Sequence, residues 1–226
     1  MDTCNASSPS STGALDQRQW RRTCSSLAPE LRAYLAPPVS WKRPFVGSVP
    51  VVAAPGDLAV VTTKGGDEIA LGPLLGHESE QLFSLFAAVV ASGDGFPQAP
   101  PLTRDVFEAT WIRPVTAVIG ARLAAGGPLL GAYYLKPNFA ARAAHIANAG
   151  YVAAASARGR GVGRALVEDS LWRAPLLGFD AIQFNLVFVS NPARALYEEL
   201  GWREIGRIPN AVDGEDAIIY WRRVGE

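Results

Sequence analysis

Residues 158–164 read Arg-Gly-Arg-Gly-Val-Gly-Arg and fall between an apolar, β-type run and an apolar helical one, an arrangement that few architectures accommodate. A strand that empties through such a loop into a helix aims several backbone N–H groups and a helix N-terminus at one place, which suits an anion such as a diphosphate. Glycine lets the main chain come close, and Arg158, Arg160 and Arg164 add charge-assisted donors. Taken alone, the loop reads equally well as a basic, solvated turn. Two familiar phosphate sites do not fit. A nucleotide triphosphatase loop requires Lys and then Ser or Thr after its last glycine, whereas Gly163 is followed by Arg164 and Ala165. A dinucleotide fingerprint requires a small residue at position 164 and an acid near the end of the next strand, whereas Asp180 opens that strand.

The order of elements around the loop sets the fold class. Residues 46–63 and 69–75 are expected to be strands, and 78–92 a helix with Leu82, Phe83, Leu85, Phe86, Val89 and Val90 at helical spacing. A short helix is expected at 103–110, and 115–120 pairs with 129–135 across Gly126-Gly127. Then come strand 146–155, the glycine loop, helix 162–177, strand 181–189, helix 192–200, and strands 202–208 and 217–222. This predicts an α/β (α+β) domain with a mixed, mostly antiparallel sheet, one parallel βαβ crossover at the loop, and flanking helices. Residues 45–226 form that single domain. Residues 1–44, Ser/Thr-rich at first and carrying Pro37, Pro38 and Pro44 later, are expected to be a disordered tail and an extended arm.

Composition narrows the function. Lys+Arg and Asp+Glu are equal at 21 each, so no field gathers nucleic acid or an anionic membrane, and a compact, uncharged partner is favoured. Cys4 and Cys24 are too few for a disulfide framework, and His77 and His145 are far apart, so no metal is expected. No apolar run reaches the length of about 18 residues that spans a membrane. The expected compartment is the cytoplasm. Arg18, Arg21 and Arg22 make a mitochondrial presequence the alternative, with Asp2 and Asp16 against it.

The pattern Arg158-x-x-Gly161-x-Gly163 at a helix entrance resembles the acetyl-CoA loop of the GNAT superfamily of N-acetyltransferases. Downstream, Asn191-Pro-Ala-Arg-Ala-Leu-Tyr197-Glu-Glu-Leu-Gly201-Trp202 resembles that superfamily's second signature. Further runs, Leu135-Lys-Pro-Asn138, His145-Ile-Ala-Asn148-Ala-Gly150 and Phe184-Asn185-Leu-Val-Phe-Val-Ser-Asn191, are similar to the fungal L-azetidine-2-carboxylate N-acetyltransferases, over about residues 95–224. These relatives detoxify that proline analogue. The resemblance implies the GNAT fold, acetyl-CoA as co-substrate and a homodimer. It implies that Asn148 holds the substrate nitrogen, that the N–H of Ala149 supports the developing oxyanion, and that Asn185 contacts substrate. Cofactor contacts are implied for Val152, Arg158, Gly159, Arg160, Gly161, Val162, Gly163, Arg164 and Asn191. Asn191 precedes Tyr197 by six positions rather than the superfamily's seven, so Ser190 is the alternative to Asn191.

Acetyl transfer from a thioester to an amine requires a deprotonated nitrogen, a donor to the carbonyl oxygen and a proton for the leaving thiolate. Strand alternation puts Ile146, Asn148 and Gly150 on one face, and His145, Ala147, Ala149 and Tyr151 on the other. His145 therefore reads as a structural histidine. Tyr197 is a candidate acid for the thiolate and equally a core aromatic. Asn185 stands out as a polar residue in an apolar strand. Phe96, Pro97, Trp111, Tyr133 and Tyr134 are candidates to wall a small apolar pocket. With neither cysteine near the motifs, direct transfer in a ternary complex to a small amine is expected rather than an acyl-enzyme. The rival readings are a peptide or protein amine as acceptor, and a non-catalytic module that binds acetyl-CoA.

Overall fold

The computed structural model describes residues 57–93, 95–113 and 115–225. Its strands are β1 Ala59–Thr62, β2 Glu68–Pro73, β3 Ala117–Leu123, β4 Gly131–Pro137, β5 Ile146–Ala153, β6 Ala181–Phe188, β7 Arg203–Val212 and β8 Glu215–Arg223. They form one sheet in the order β1-β2-β3-β4-β5-β6-β8-β7. Only β5 and β6 run parallel, and they flank the helix that follows the glycine loop, as the crossover rule requires. The helices are α1 Ser79–Ser92, α2 Arg104–Trp111, α3 Val162–Leu176 and α4 Arg194–Glu199. No helix among the described residues is long and apolar enough to cross a membrane.

Each face of the sheet is covered by a different helix pair. Leu82, Phe86 and Val90, one α-helical face of α1, pack with Phe107 and Trp111 of α2 against Ala132, Tyr134 and Val152. On the opposite face Val162, Leu166 and Val167 of α3 meet Leu71, Ile119, Tyr133 and Leu135, and Tyr197 of α4 joins Phe184 and Trp202. Strand alternation therefore sorts β5 as expected: Ala147 and Ala149 lie in the α3 core, whereas Val152 lies in the α1 core. Gly150 sits directly under Tyr134. A Cβ there would come within 2.6–2.8 Å of the phenol ring, so only glycine admits the tyrosine in this position.

α3 is fastened to the N-terminal hairpin by a buried polar group. Arg173 is fully buried; its Nε donates to Asp169 Oδ2 at 2.7 Å, and its guanidinium also reaches the carbonyls of Asp57 and Leu71 at 2.9 and 3.2 Å. The same carboxylate oxygen accepts from the Tyr133 hydroxyl at 2.6 Å. A second fastening lies at the other end of the helix, where Arg160 Nε donates to Asp67 Oδ2 at 2.9 Å.

Element boundaries depart from the sequence reading in physically interpretable ways. The strand expected at 146–155 stops at Ala153 because Ala155–Ala157 winds into a 3-10 turn. The helix expected from 192 starts at Arg194, since the Asn191 side chain caps a turn there. β7 and β8 are longer than expected, up to a tight turn with Asp213 and Gly214 in left-handed conformations. Of the strand expected at 46–63 the structure contains β1, while 46–56, the tail, the arm and both cysteines lie outside the described residues.

Candidate active site

β5 and β6 are paired over three positions, Ile146↔Ala181, Ala147↔Ile182 and Asn148↔Gln183, and then part. Hydrogen bonds on either side fix which main-chain groups face the gap. The carbonyl of Ile146 and the N–H of Ala154 engage the β4 side, whereas the carbonyl of His145 accepts from Asp180 at the start of β6. By this parity Ala149, Tyr151 and Ala153 turn their N–H and C=O toward β6. Ala149 stands at the lip of the parting, and the groups of Tyr151 and Ala153 lie along an edge of β5 that β6 no longer covers. Val152 turns its main chain to Ala132 of β4 and buries its side chain, so the open edge is offered by its two neighbours instead.

Asn148 marks the point of parting. Its Nδ2 donates to the Gln183 carbonyl at 3.0 Å, and its Oδ1 accepts from the Tyr134 hydroxyl at 3.3 Å. An amide oxygen has two lone pairs, so one remains for a ligand. Burial pushes the Tyr134 phenol up to about 12, which keeps it a donor at neutral pH. Around Asn148 the face carries Lys136, its register partner on β4, Gln183 and Asn185 on β6, and Asn138 just beyond β4. Asn138 and Asn185 exchange reciprocal amide hydrogen bonds at 3.1 and 2.6 Å, and Gln183 donates to Asn185 at 2.9 Å. A bulge between Phe184 and Val187 breaks the β6–β8 ladder and leaves Asn185 exposed at the rim rather than in an apolar interior.

Three of the residues expected to wall a pocket, Phe96, Trp111 and Tyr134, come together in the core beneath α1 and α2. Trp111 lies edge-on to Tyr134 with ring centroids 5.1 Å apart, and Phe86 bridges Trp111 and Phe96 at 5.7 and 4.9 Å. Tyr133 does not belong to it: a neighbour of Tyr134 in a strand faces the other way, and Tyr133 is bonded to Asp169 in the α3 core. Pro97 is exposed. His145 is exposed as well, in the turn before β5, its Nδ1 3.0 Å from the Arg142 carbonyl.

At the glycine loop Gly159 and Gly161 adopt left-handed backbone, with φ of 74° and 82°, and Gly161 is the N-cap of α3. A Cβ on Gly161 would sit 3.0 Å from Thr63 Cβ, so the loop rests against the end of β1. Val162 plugs the core, fixing the first turn of α3. Gly163 has open space where a side chain would be, leaving the helix N-terminus accessible. The Thr63 hydroxyl beside the loop is buried with no hydrogen-bond partner among the described residues, a feature that suits a ligand there. The loop arginines are already engaged: Arg160 with Asp67, and Arg164 with Glu168 and Glu199. Arg158 is exposed and lines a groove with Ser84, Ala88 and Ala154. Asn191 Oδ1 accepts from the Ala193 N–H at 2.9 Å, holding the turn into α4, and the Ser190 N–H donates to Glu215 at 2.6 Å.

Tyr197 stands beneath the parting on the α3 side. Its ring centroid lies 4.8 Å from Phe184 of β6 and 6.5 Å from Tyr151 of β5, so it spans both strands. Burial raises its phenol well above the ordinary range, with the Tyr220 phenol contributing, and it keeps its proton at physiological pH. Sequence reading did not single out Thr63, Lys136 or Gln183. The first two carry no local signal, whereas Gln183, two positions before Asn185, was open to the same alternation argument.

The description "Acetyltransferase (GNAT) family" matches residues 92–202. The chain is 43% identical over 99 residues to N-acetyltransferase aca1 of Schizosaccharomyces pombe, covering 41% of this chain and 47% of that one, so it matches about half the length of this curated relative. Among solved structures, a GCN5-related N-acetyltransferase from Kribbella flavida has a TM-score of 0.64 at 32% identity, covering 69% of this chain and 98% of that one. A GNAT superfamily phosphinothricin acetyltransferase from Sinorhizobium meliloti in complex with AcCoA shares the fold, with a TM-score of 0.62, 18% identity, and coverage of 70% and 89%.

Proposed function

Because this chain belongs to the GCN5-related N-acetyltransferase (GNAT) family, we propose that it transfers the acetyl group of acetyl-CoA to a small amine, a proline-type imino acid such as L-azetidine-2-carboxylate, by direct attack in a ternary complex. The observation that carries this reading is the uncovered edge of β5, which runs from the glycine loop to Asn148 and ends among amides and aromatic rings. Acetyl-CoA brings an activated thioester. The α3 N-terminus, the N–H groups of Gly159, Gly161, Val162 and Gly163 and the orphaned Thr63 hydroxyl would hold its diphosphate end, and the Tyr151 and Ala153 main chain its extended arm.

The remaining roles fall to this chain's own side chains. Asn148 Oδ1 accepts the N–H of the acceptor and aims the nitrogen lone pair, its amide plane fixed by Gln183 and Tyr134. The N–H of Ala149 supports the carbonyl oxygen as it gains charge. Tyr197 gives its proton to the departing sulfur as the carbon–sulfur bond breaks. The neighbours of Asn148 on this face, Tyr134, Lys136, Asn138, Gln183 and Asn185, supply no carboxylate, so water takes the amine's proton. The aromatic group of Trp111, Phe96 and Tyr134 would give the acceptor an apolar floor beside Asn148.

The test is thiol release from acetyl-CoA by the purified protein with L-azetidine-2-carboxylate, proline analogues, primary amines and a short peptide. Turnover of the imino acids supports the reading. Turnover of the peptide alone moves the acceptor to a protein amine, and cofactor binding without turnover of any amine leaves a binding module.

A further inference from the structure

Lys136 stands near the end of β4, on the face that carries Asn148. Its stem is half-buried, its Nζ lies 4.8 Å from the centroid of the Tyr134 ring, and no carboxylate is within salt-bridge reach of it among the described residues. Loss of hydration is the one cause that lowers its ammonium below the ordinary lysine range, with no neighbouring charge contributing. A cation–π contact offsets part of that loss, worth about 1 kcal/mol, and leaves the positive charge without a counter-ion. The contact holds the ammonium over the ring, on the face that carries Asn148, instead of letting it trail away from the sheet. Two arginines of the glycine loop differ: Arg160 and Arg164 are held by Asp67 and Glu199.

The neighbours of Lys136 show where a counter-ion would come from. It is the register partner of Asn148, on the same face of the sheet, and the Tyr134 ring beneath it carries the hydroxyl that holds Asn148 Oδ1. The rim is built of amides that donate without carrying charge, Asn185 and Gln183. A cation beside uncharged donors, one position from the group that aims the nucleophilic nitrogen, matches an acceptor bearing a negative group next to its amine.

We propose that Lys136 is the specificity-determining residue for the acceptor, binding a carboxylate carried on the carbon next to the reacting nitrogen. This rests on the small-amine acetyltransferase reading above and narrows it to α-amino and α-imino acids. Lys136 takes no part in bond making; it positions the acceptor so that its nitrogen meets Asn148.

The experiment compares matched pairs with and without the carboxylate: L-azetidine-2-carboxylate and azetidine, L-proline and pyrrolidine, L-alanine and ethylamine. Each is assayed with wild type, Lys136→Met and Lys136→Arg. Wild type is expected to favour the carboxylate member. Lys136→Met is expected to raise KM for that member about 10- to 100-fold, as for a lost charge-assisted contact, while KM for acetyl-CoA changes by less than about twofold. Lys136→Arg should recover part of the loss. Melting curves of the variants, unchanged from wild type, separate this from a folding defect. Wild-type indifference to the carboxylate, an equal loss for both members of a pair, or turnover of no carboxylate-bearing amine would overturn the proposal. Turnover of alanine without either imino acid would sink the imino-acid reading while leaving the role of Lys136 intact.

Discussion

The side-chain amide of Asn148 donates to the main-chain carbonyl of Gln183 at 3.0 Å, and these two residues are also the last register pair before β5 and β6 part. The orientation of Asn148 is thus set by the backbone of the neighbouring strand. Rotating the amide would cost that bond, so Oδ1 is held toward the open face.

It follows that Asn148→Ala should lower kcat/KM for the acceptor about 100-fold, the scale of a lost hydrogen bond plus a lost orientation, while binding of acetyl-CoA persists. Steady-state kinetics paired with calorimetric titration of acetyl-CoA check this. An unchanged kcat/KM would remove Asn148 from the reaction.

Tyr197 should show itself through pH. Burial raises its phenol above the ordinary value of 10.0, so the proton is present at neutral pH and stays on as pH rises through the usual tyrosine range. The kcat profile should therefore have no falling alkaline limb from this group below pH 10.0. Tyr197→Phe should reduce kcat about 100-fold across the whole profile with KM for acetyl-CoA little changed. A limb that disappears in the Phe variant at lower pH would contradict the assignment.

Gly161→Ala tests the loop. The position has φ of 82° and a Cβ there would press on Thr63 at 3.0 Å, so strain of about 1–3 kcal/mol falls on the entrance of α3. Acetyl-CoA affinity should drop about tenfold or more, measured by calorimetry. Gly163→Ala, where the backbone is ordinary and the space open, is the comparison, and it should affect the fold little.

Asp169→Asn should be severe for stability. It neutralises the carboxylate that meets the fully buried Arg173, leaving an amide that can still accept from Tyr133, and breaking one side of a buried pair costs about 3–5 kcal/mol. Tyr133→Phe, which removes only one hydrogen bond, should cost about 1 kcal/mol. Urea denaturation of the two variants gives the ratio, and equal losses would show that the hydroxyl, not the ion pair, holds the group together.

Much of this was legible in the chain itself, for definable reasons. Glycine spacing announced the strand–loop–helix unit because left-handed backbone at 159 and 161 is a local demand. The period-two rule put Ala147 and Ala149 on the face opposite Asn148 correctly, since faces are fixed by the pleat alone. The same rule should have removed Tyr133 from the pocket wall, because its neighbour Tyr134 had taken that face. Asn185 stands out in the sequence as the polar residue of an apolar strand, but its exposure was not legible, because it accompanies a bulge that depends on the register against β8. Lys136 was invisible for a different reason. A lysine at a strand end ordinarily trails into water, and it is the tertiary placement of the Tyr134 ring that draws this one over the face.

The two fastenings of the β1–β2 hairpin to α3 lie near opposite ends of that helix, Arg160 with Asp67 at the loop and Arg173 with Leu71 and Asp57 farther along. A ligand that settles onto the loop therefore tightens one of two anchors while the other stays fixed. Opening of this hairpin should become rarer once acetyl-CoA is bound, and amide exchange across residues 59–72 should slow more than in β7, whose edge lies across the sheet from both anchors. The hairpin would then record occupancy of a site to which it lends few atoms.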